Sequence, residues 1–240
     1  DHTERMLSLF GVEVERDGAT AAITGGQSLT PAELRIPGDV SSATFFVVGA
    51  AITAGSDLTL LGAGVNATRT GALDILRLMG ADIVIKNRRL VGAEPVADIR
   101  VRGSRLSGID IPTELVPLAI DEFPVLFIAA AAAQGTTRLT GAAELRVKES
   151  DRLAVMAEGL ERLGVVCELA DDGIRITGGP IGGGAIDSHA DHRIAMAFAM
   201  AGLVAEAPIT IRDATNIDTS FPGFRELAAS AGLAVRAPRK

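Results

Sequence analysis

The chain has 240 residues, 48% of them hydrophobic and 3% aromatic, with no Trp or Tyr, one cysteine and a formal net charge of −7. That length supports one large domain or two smaller ones, each with a proper core, while the acidic balance and the lack of stacking rings speak against nucleic acid as a partner. The single cysteine, Cys167 in the apolar run VVCEL, excludes an internal disulfide and reads as a buried small hydrophobe; no uncharged apolar run is long enough to span a bilayer and no basic-then-apolar leader opens the chain, so a cytoplasmic protein without membrane contact is expected.

DHTERMLSLFGVEVERDGATAAITGG opens the chain as a helix followed by a hairpin. It starts at Asp1 rather than Met and reads as cut from something longer. Pro37 and Gly38 in LRIPGD interrupt periodic structure, which sets residues 1–36 apart as the tail of a preceding domain and 37–240 as the main one. From there the chain repeats itself. GDVSSATFFVVGAAITAG from Gly38, IDEFPVLFIAAAAAQG from Ile120 and ADHRIAMAFAMAGLVAEA from Ala190 each place an aspartate before a run of small and apolar residues. A short β-like stretch follows (LTLLG, TRLTG or ITIRD), then a second helical stretch whose closing glycine leads into a strand (LRLMGADI, LERLGVVCEL or LAASAGLAV). The distance from opening Asp to closing Gly is 41 residues for Asp39 to Gly80, 43 for Asp121 to Gly164 and 41 for Asp191 to Gly232. Hairpin signals fall between copies, around Asn87 and around Asp171, Asp172 and Gly173. The expected fold class is therefore α/β (α+β), with units of strand, helix, strand, helix, strand, strand; the first helix of each unit is apolar all round and should be buried. GGPIGGG at 178–184 lacks the Gly-Lys-Ser/Thr of a phosphate loop and reads as a flexible connection.

LRVKESDRL at 145–153 gathers charges of both signs in an otherwise Ala-, Leu-, Val- and Gly-rich chain, and its Lys148 is one of three lysines beside 20 arginines. On a helix begun near Lys148, Leu153, Met156, Leu160 and Leu163 share a core sector of about 80°, Glu149 projects along its middle, and Lys148 and Arg152 lie at its edge. An inward carboxylate must be paired or must line a cavity. A structural ion pair of Glu149 with Lys148 or Arg152 and a functional site both remain open. Asp121 precedes a Pro-containing first turn, where an N-cap accounts for it more simply than catalysis. SHADHR at 188–193 holds two of the three histidines, yet Asp191 as a cap with Arg193 in the first turn is a simpler account than a metal cluster. All these residues stand at helix starts, where free N–H groups and the helix dipole favour anions. Symmetric packing of the repeats would make those starts converge on a cleft suited to a small substrate carrying phosphate or carboxylate.

RVKESDRL and DHRIAM, with DHTERM, PGDVSSA, IDEFP and TSFP in order, closely resemble the motifs of the 5-enolpyruvylshikimate-3-phosphate synthase family. The resemblance runs along essentially the whole chain, which looks like the second half of such an enzyme. It implies an enolpyruvyl transferase-like fold of two domains, each of three βαβαββ units, closing on substrate. It also implies transfer of the enolpyruvyl group of phosphoenolpyruvate to the 5-hydroxyl of shikimate 3-phosphate with release of phosphate, without metal or organic cofactor. By motif, Asp121 is implied as the catalytic proton acceptor on shikimate 3-phosphate and Lys148 as a contact to that substrate. Glu149 is implied in proton transfer at the methylene carbon of phosphoenolpyruvate, Arg152 and Arg193 as arginines that bind it, and His192 as the neighbour of the second. Thr219 and Glu144 stand where some members carry lysine and asparagine, a pattern of a divergent bacterial subgroup. The missing N-terminal half supplies further substrate contacts in the family, so inactivity of this chain alone is expected. Two alternatives accompany this reading: UDP-N-acetylglucosamine enolpyruvyl transferase, against which RVKESDRL and DHRIAM speak, and a non-catalytic substrate-binding half.

Overall fold

The computed structural model describes residues 1–236; residues 237–240, including Lys240 and the end of the domain expected at 37–240, lie outside the described residues. The chain opens with α1 (His2–Leu9) and an antiparallel hairpin, β1 (Val14–Asp17) with β2 (Thr20–Ile23). None of the α1 residues is buried. This segment is tied to the rest by polar contacts: Asp1 accepts from Asn66 at 2.5 Å, His2 meets Glu94 at 2.7 Å, and Arg5 donates to the Ala93 carbonyl at 3.1 Å.

The three sequence copies follow. The first holds α2 (Val40–Ile52), β3 (Asp57–Gly64), α3 (Gly71–Leu78), β4 (Asp82–Val91) and β5 (Glu94–Arg102), with an antiparallel sheet in the order β3-β5-β4. The second holds α4 (Phe123–Ala132), β6 (Thr136–Leu139), α5 (Arg152–Arg162), β7 (Val166–Ala170) and β8 (Gly173–Thr177), with the matching order β6-β8-β7. The third holds β9 (Gly184–Asp187), α6 (His192–Ala201), β10 (Ile209–Arg212), α7 (Ile217–Ser220) and α8 (Phe224–Ser230), and β9 pairs parallel with β10. The parallel pairing is what a strand-helix-strand crossover requires.

The same crossover exists in the first two copies, but its leading strand shrinks to isolated parallel bridges, Gly38 with Ala63 and both Ser107 with Gln134 and Asp110 with Arg138. Proline explains part of the shortening, because Pro37 and Pro112 carry no N–H for a ladder. The third copy departs from the expected six-element unit at its other end. No strand follows Gly232 among the described residues, so the one expected at Leu233 to Val235 is not formed, and β9 and β10 have only each other as partners.

Helices α2, α4 and α6 pack against one another at the centre of the molecule. Their composition requires it: every residue of α4 except Ala132 is buried, as are ten of the thirteen residues of α2. Phe45, Phe123, Phe127 and Phe198 of these helices are buried in one core, to which α5 adds Leu153, Met156 and Leu160. Cys167 on β7 faces Ile176 in this register and is half-buried; burial pushes its thiol up to about 12, the state of an inert hydrophobe. No helix among the described residues is long and apolar enough to cross a membrane.

The close approach of α5 to α6 depends on one missing side chain. A Cβ on Gly159 would lie 2.3 Å from Cζ of the buried Phe198 ring. Gly159→Ala should therefore destabilise the fold by about 1–3 kcal/mol through overpacking, although alanine is the better helix former by about 1 kcal/mol. A urea unfolding midpoint at or above that of the unsubstituted protein would contradict this packing.

Candidate active site

Each central helix begins at the same end of the core, and the sequence places polar residues there. Asp39 caps α2, accepting from the N–H groups of Ser41 and Ser42 at 3.0 Å each. Asp191 caps α6, accepting from Arg193 N at 2.9 Å and Ile194 N at 3.4 Å, as expected. Asp121 differs from its two counterparts. A tight turn of 3-10 helix over Ile120–Glu122 leads into α4, and no side chain caps that helix. The N-cap expected at Asp121 is thus not made, because the tighter turn removes its carboxylate from the first N–H groups of α4. That carboxylate instead faces Lys148 Nζ at 3.4 Å, Arg152 Nη1 at 3.6 Å and Arg69 Nη1 at 3.9 Å. Burial alone would raise its pKa, but the charges of Arg193, Lys148 and Arg152 together hold it below the ordinary carboxylate range.

The LRVKESDRL segment folds differently from a helix begun at Lys148. Residues Ala143–Val147 form a 3-10 turn, Lys148 is extended, and α5 begins only at Arg152, with Asp151 as its cap accepting from Ala154 N at 3.0 Å. Glu149 consequently lies in the bend between that turn and α5, with its side chain 52% exposed, not along the apolar stripe. The group turned inward is Arg152, at 1% exposure. Its Nε donates to Asp191 Oδ2 at 2.8 Å and its Nη2 to Glu149 Oε2 at 2.5 Å, so the Glu149–Arg152 ion pair is present. Its Nη1 is buried without a hydrogen-bond partner, the Asp121 carboxylate being its nearest counter-charge. Lys148 also pairs with Glu144; that hydrogen bond, ahead of Asp121 and against some desolvation, keeps its pKa raised and its ammonium charged.

The third helix start is held by its loop. His189 and Ala190 both take left-handed backbone, at φ 50° and 59°, a costly pair for residues with a Cβ. Buried Ser188 anchors the loop by donating to the Arg212 and Asp213 carbonyls, each at 2.9 Å, and Asn216 donates to the Ala190 carbonyl at 2.7 Å. Arg193 then reaches across the cluster, Nη1 donating to Ser41 Oγ at 2.9 Å and to the Asp121 carbonyl at 3.1 Å. His192 is half-buried, and desolvation followed by the Arg193 charge lowers its pKa, favouring neutral imidazole. Thr219 lies on α7, where its hydroxyl donates to the Asn216 carbonyl at 3.0 Å.

Asp121, Lys148, Glu149 and Arg152 from the second copy of the repeat and Arg193 from the third are thus drawn into one cluster, with His192 beside Arg193. Three members were not anticipated from the sequence: Arg69 ahead of α3, Ser41 on the first turn of α2, and buried Glu122. Their local signals are weak. Arg69 is a cation in the small-residue turn NATRTG, and Glu122 is a second carboxylate abutting a wholly apolar helix. Arg69, Lys148 and Arg193 remain partly exposed at the helix starts. Partly exposed cations grouped at helix starts are able to meet a small anion through charge-assisted hydrogen bonds.

The repeated α/β units have the fold of the enolpyruvyl transferases. The solved structure of the enolpyruvyl transferase NikO from Streptomyces tendae shares it at a TM-score of 0.73 and 18% identity, covering 97% of this chain and 53% of that one. The chain belongs to the EPSP synthase (3-phosphoshikimate 1-carboxyvinyltransferase) family, whose model matches residues 1–227. It is 62% identical over 236 residues to the 3-phosphoshikimate 1-carboxyvinyltransferase of Nitrosococcus oceani, covering 98% of this chain and 53% of that protein. An EPSP synthase structure from Acinetobacter baumannii superposes at a TM-score of 0.95 with 54% identity, covering 98% of this chain and 55% of the other. The chain therefore spans about half the length of the curated relatives it matches.

The buried Arg152–Asp191 pair gives a pH test of the cluster. Desolvation raises the pKa of Asp191, but the hydrogen bond and charge of Arg152 outweigh it, so the folded-state value lies below the unfolded value of about 3.9. A depressed carboxylate contributes stability fully above the unfolded value and loses it as pH falls through the folded one. Asp191→Asn should cost about 3–5 kcal/mol at pH 7 by stranding a buried guanidinium, and the difference from the unsubstituted protein should shrink below about pH 4. Denaturant unfolding at pH 7 and at pH 3 checks this; a penalty independent of pH would contradict it.

Proposed function

We propose that this chain forms part of an enzyme that transfers the enolpyruvyl group of phosphoenolpyruvate to the 5-hydroxyl of shikimate 3-phosphate. The observation that carries the reading is the facing of the Asp121 carboxylate toward Lys148 and Arg152, with Arg193 donating to the Asp121 carbonyl, at the convergence of three helix starts. Residues 1–36 are proposed as the tail of a preceding domain and residues from 37 onward as the domain that holds this cluster. The mainly polar attachment of α1 supports that division. The remaining length of the relatives would supply further substrate contacts, so this chain alone is proposed to be inactive.

In this mechanism Arg193 and Arg152 bind the carboxylate and phosphate of phosphoenolpyruvate, with guanidinium forks suited to both. Lys148 binds shikimate 3-phosphate. Glu149, entering the cycle in its protonated form, delivers that proton to the methylene carbon of phosphoenolpyruvate, leaving a cationic carbon at C2. The 5-hydroxyl oxygen adds to that carbon and its proton passes to Asp121, whose depressed pKa keeps it ionised and ready to accept. Glu149 then removes a proton from the new methyl group as the C2–O bond to phosphate breaks, so it acts first as acid and then as base. The half-exposed position of Glu149 in the bend ahead of α5 suits it to reach a substrate above the helix starts, with Arg152 as its tether. His192, neutral beside Arg193, is proposed as a substrate-binding neighbour.

Asp121→Asn and Glu149→Gln in the full-length enzyme should each lower kcat about 10²- to 10⁴-fold with little change in melting temperature. Parallel steady-state kinetics and thermal unfolding decide the point. If activity and melting temperature fall together, both residues return to a structural role.

A further inference from the structure

Glu122 adjoins Asp121 in sequence but points into the protein, 1% exposed. Its Oε1 accepts from the Ser41 hydroxyl at the first turn of α2, and its Oε2 is buried without any hydrogen-bond partner. Ser41, itself buried, meets Arg193 on its other side, accepting from Nη1 at 2.9 Å. The direction of this relay is fixed by valence. A guanidinium has no lone pair to offer and can only donate, so the one proton of the serine hydroxyl must go to Glu122. Arg69 Nη2 lies at 3.5 Å from the same Oε1, and Arg193 Nη1 at 3.9 Å. The relay thereby spans the starts of α2, α4 and α6.

We propose that Glu122 is a positioning residue: acting through Ser41 as a neutral carboxylic acid, it fixes the guanidinium of Arg193 in the orientation that receives the anionic donor substrate. The geometry favours the neutral form, since an ionised carboxylate would leave a bare anionic oxygen at Oε2 with no donor among the described residues, at a higher cost than an unpaired hydroxyl there. Burial also raises the Glu122 pKa, and the Ser41 hydrogen bond with the Arg69 and Arg193 charges offsets this only in part. A neutral Glu122 has a further consequence for the cluster. It leaves the charges of Arg69 and Arg193 free for Asp121 and for an incoming anion, where an ionised neighbour would consume them.

The inference rests on the proposed role of Arg193 toward phosphoenolpyruvate, and the test separates the two. In the full-length enzyme, Ser41→Ala and Glu122→Ala should raise KM for phosphoenolpyruvate about tenfold, the loss of one orienting hydrogen bond, with KM for shikimate 3-phosphate unchanged. Glu122→Gln, which keeps the acceptor and the shape, should restore the KM to within about threefold of the parent value, a neutral replacement preserving a neutral bond. Ser41→Ala added to Arg193→Ala should raise that KM no further than Arg193→Ala does alone. If Arg193→Ala raises KM for phosphoenolpyruvate while Ser41→Ala does not, the positioning role is overturned and the proposed function stands. Glu122→Gln as damaging as Glu122→Ala overturns the neutral acid. If Arg193→Ala leaves KM for phosphoenolpyruvate unchanged, both readings fall.

Discussion

A guanidinium cannot be left alone in a protein interior, and Arg152 is almost wholly buried. It must be surrounded by carboxylates, and the residues that meet this need come from different repeats: Asp191 at the start of α6, Asp121 ahead of α4, and Glu149 from its own segment. Asp191 has two duties, capping α6 with one oxygen and receiving Arg152 with the other. Breaking such a pair by removing one partner costs about 3–5 kcal/mol, so the cross-link fixes the mutual placement of α5 and α6. The apolar helices supply the packing that makes a common end for these starts, and the Arg152 network fixes what stands there.

Most consequences for chemistry come from what that network leaves unfinished. Arg152 Nη1 has no hydrogen-bond partner, Asp121 is surrounded by cations but bonded to few of them at close range, and Lys148 and Arg193 remain partly exposed. The strain at His189 and Ala190 has the same character, since the loop before α6 is held in left-handed backbone by Ser188 and Asn216 so that Asp191, His192 and Arg193 arrive in order. Two of the three buried unsatisfied side-chain atoms among the described residues, Arg152 Nη1 and Glu122 Oε2, and the left-handed pair His189 and Ala190 lie at these helix starts, while the surrounding core of α2, α4 and α6 is apolar and closely packed.

Much of the fold was legible in the sequence because its markers are local. Aspartate before an apolar run, and glycine closing the second helix with positive φ at Gly80, Gly164 and Gly232, do not depend on distant partners. The apolar character of the first helices announced their burial. The details that resisted reading depend on turns that periodicity does not encode. Asp151 capping α5 shifted the helix start by four residues and exchanged Glu149 for Arg152 as the inward group. The 3-10 turn at Ile120–Glu122 did the same to the expected cap at Asp121. Asp121, Lys148, Glu149, Arg152, His192 and Arg193 were identifiable from motifs, but Ser41, Glu122 and Arg69 acquire their meaning only when separate repeats pack together. No pattern within a single repeat could have paired Ser41 with Glu122 across 81 positions.

The proposed function requires an anionic ligand to be received jointly by the three helix starts. Backbone amide NMR of the full-length protein titrated with inorganic phosphate tests it most directly. The account predicts that the amides of residues 41–42, 121–123 and 192–194 shift together with one midpoint, because a single ligand reports to all three. Shifts confined to one helix start, or separate midpoints for the three, would contradict it.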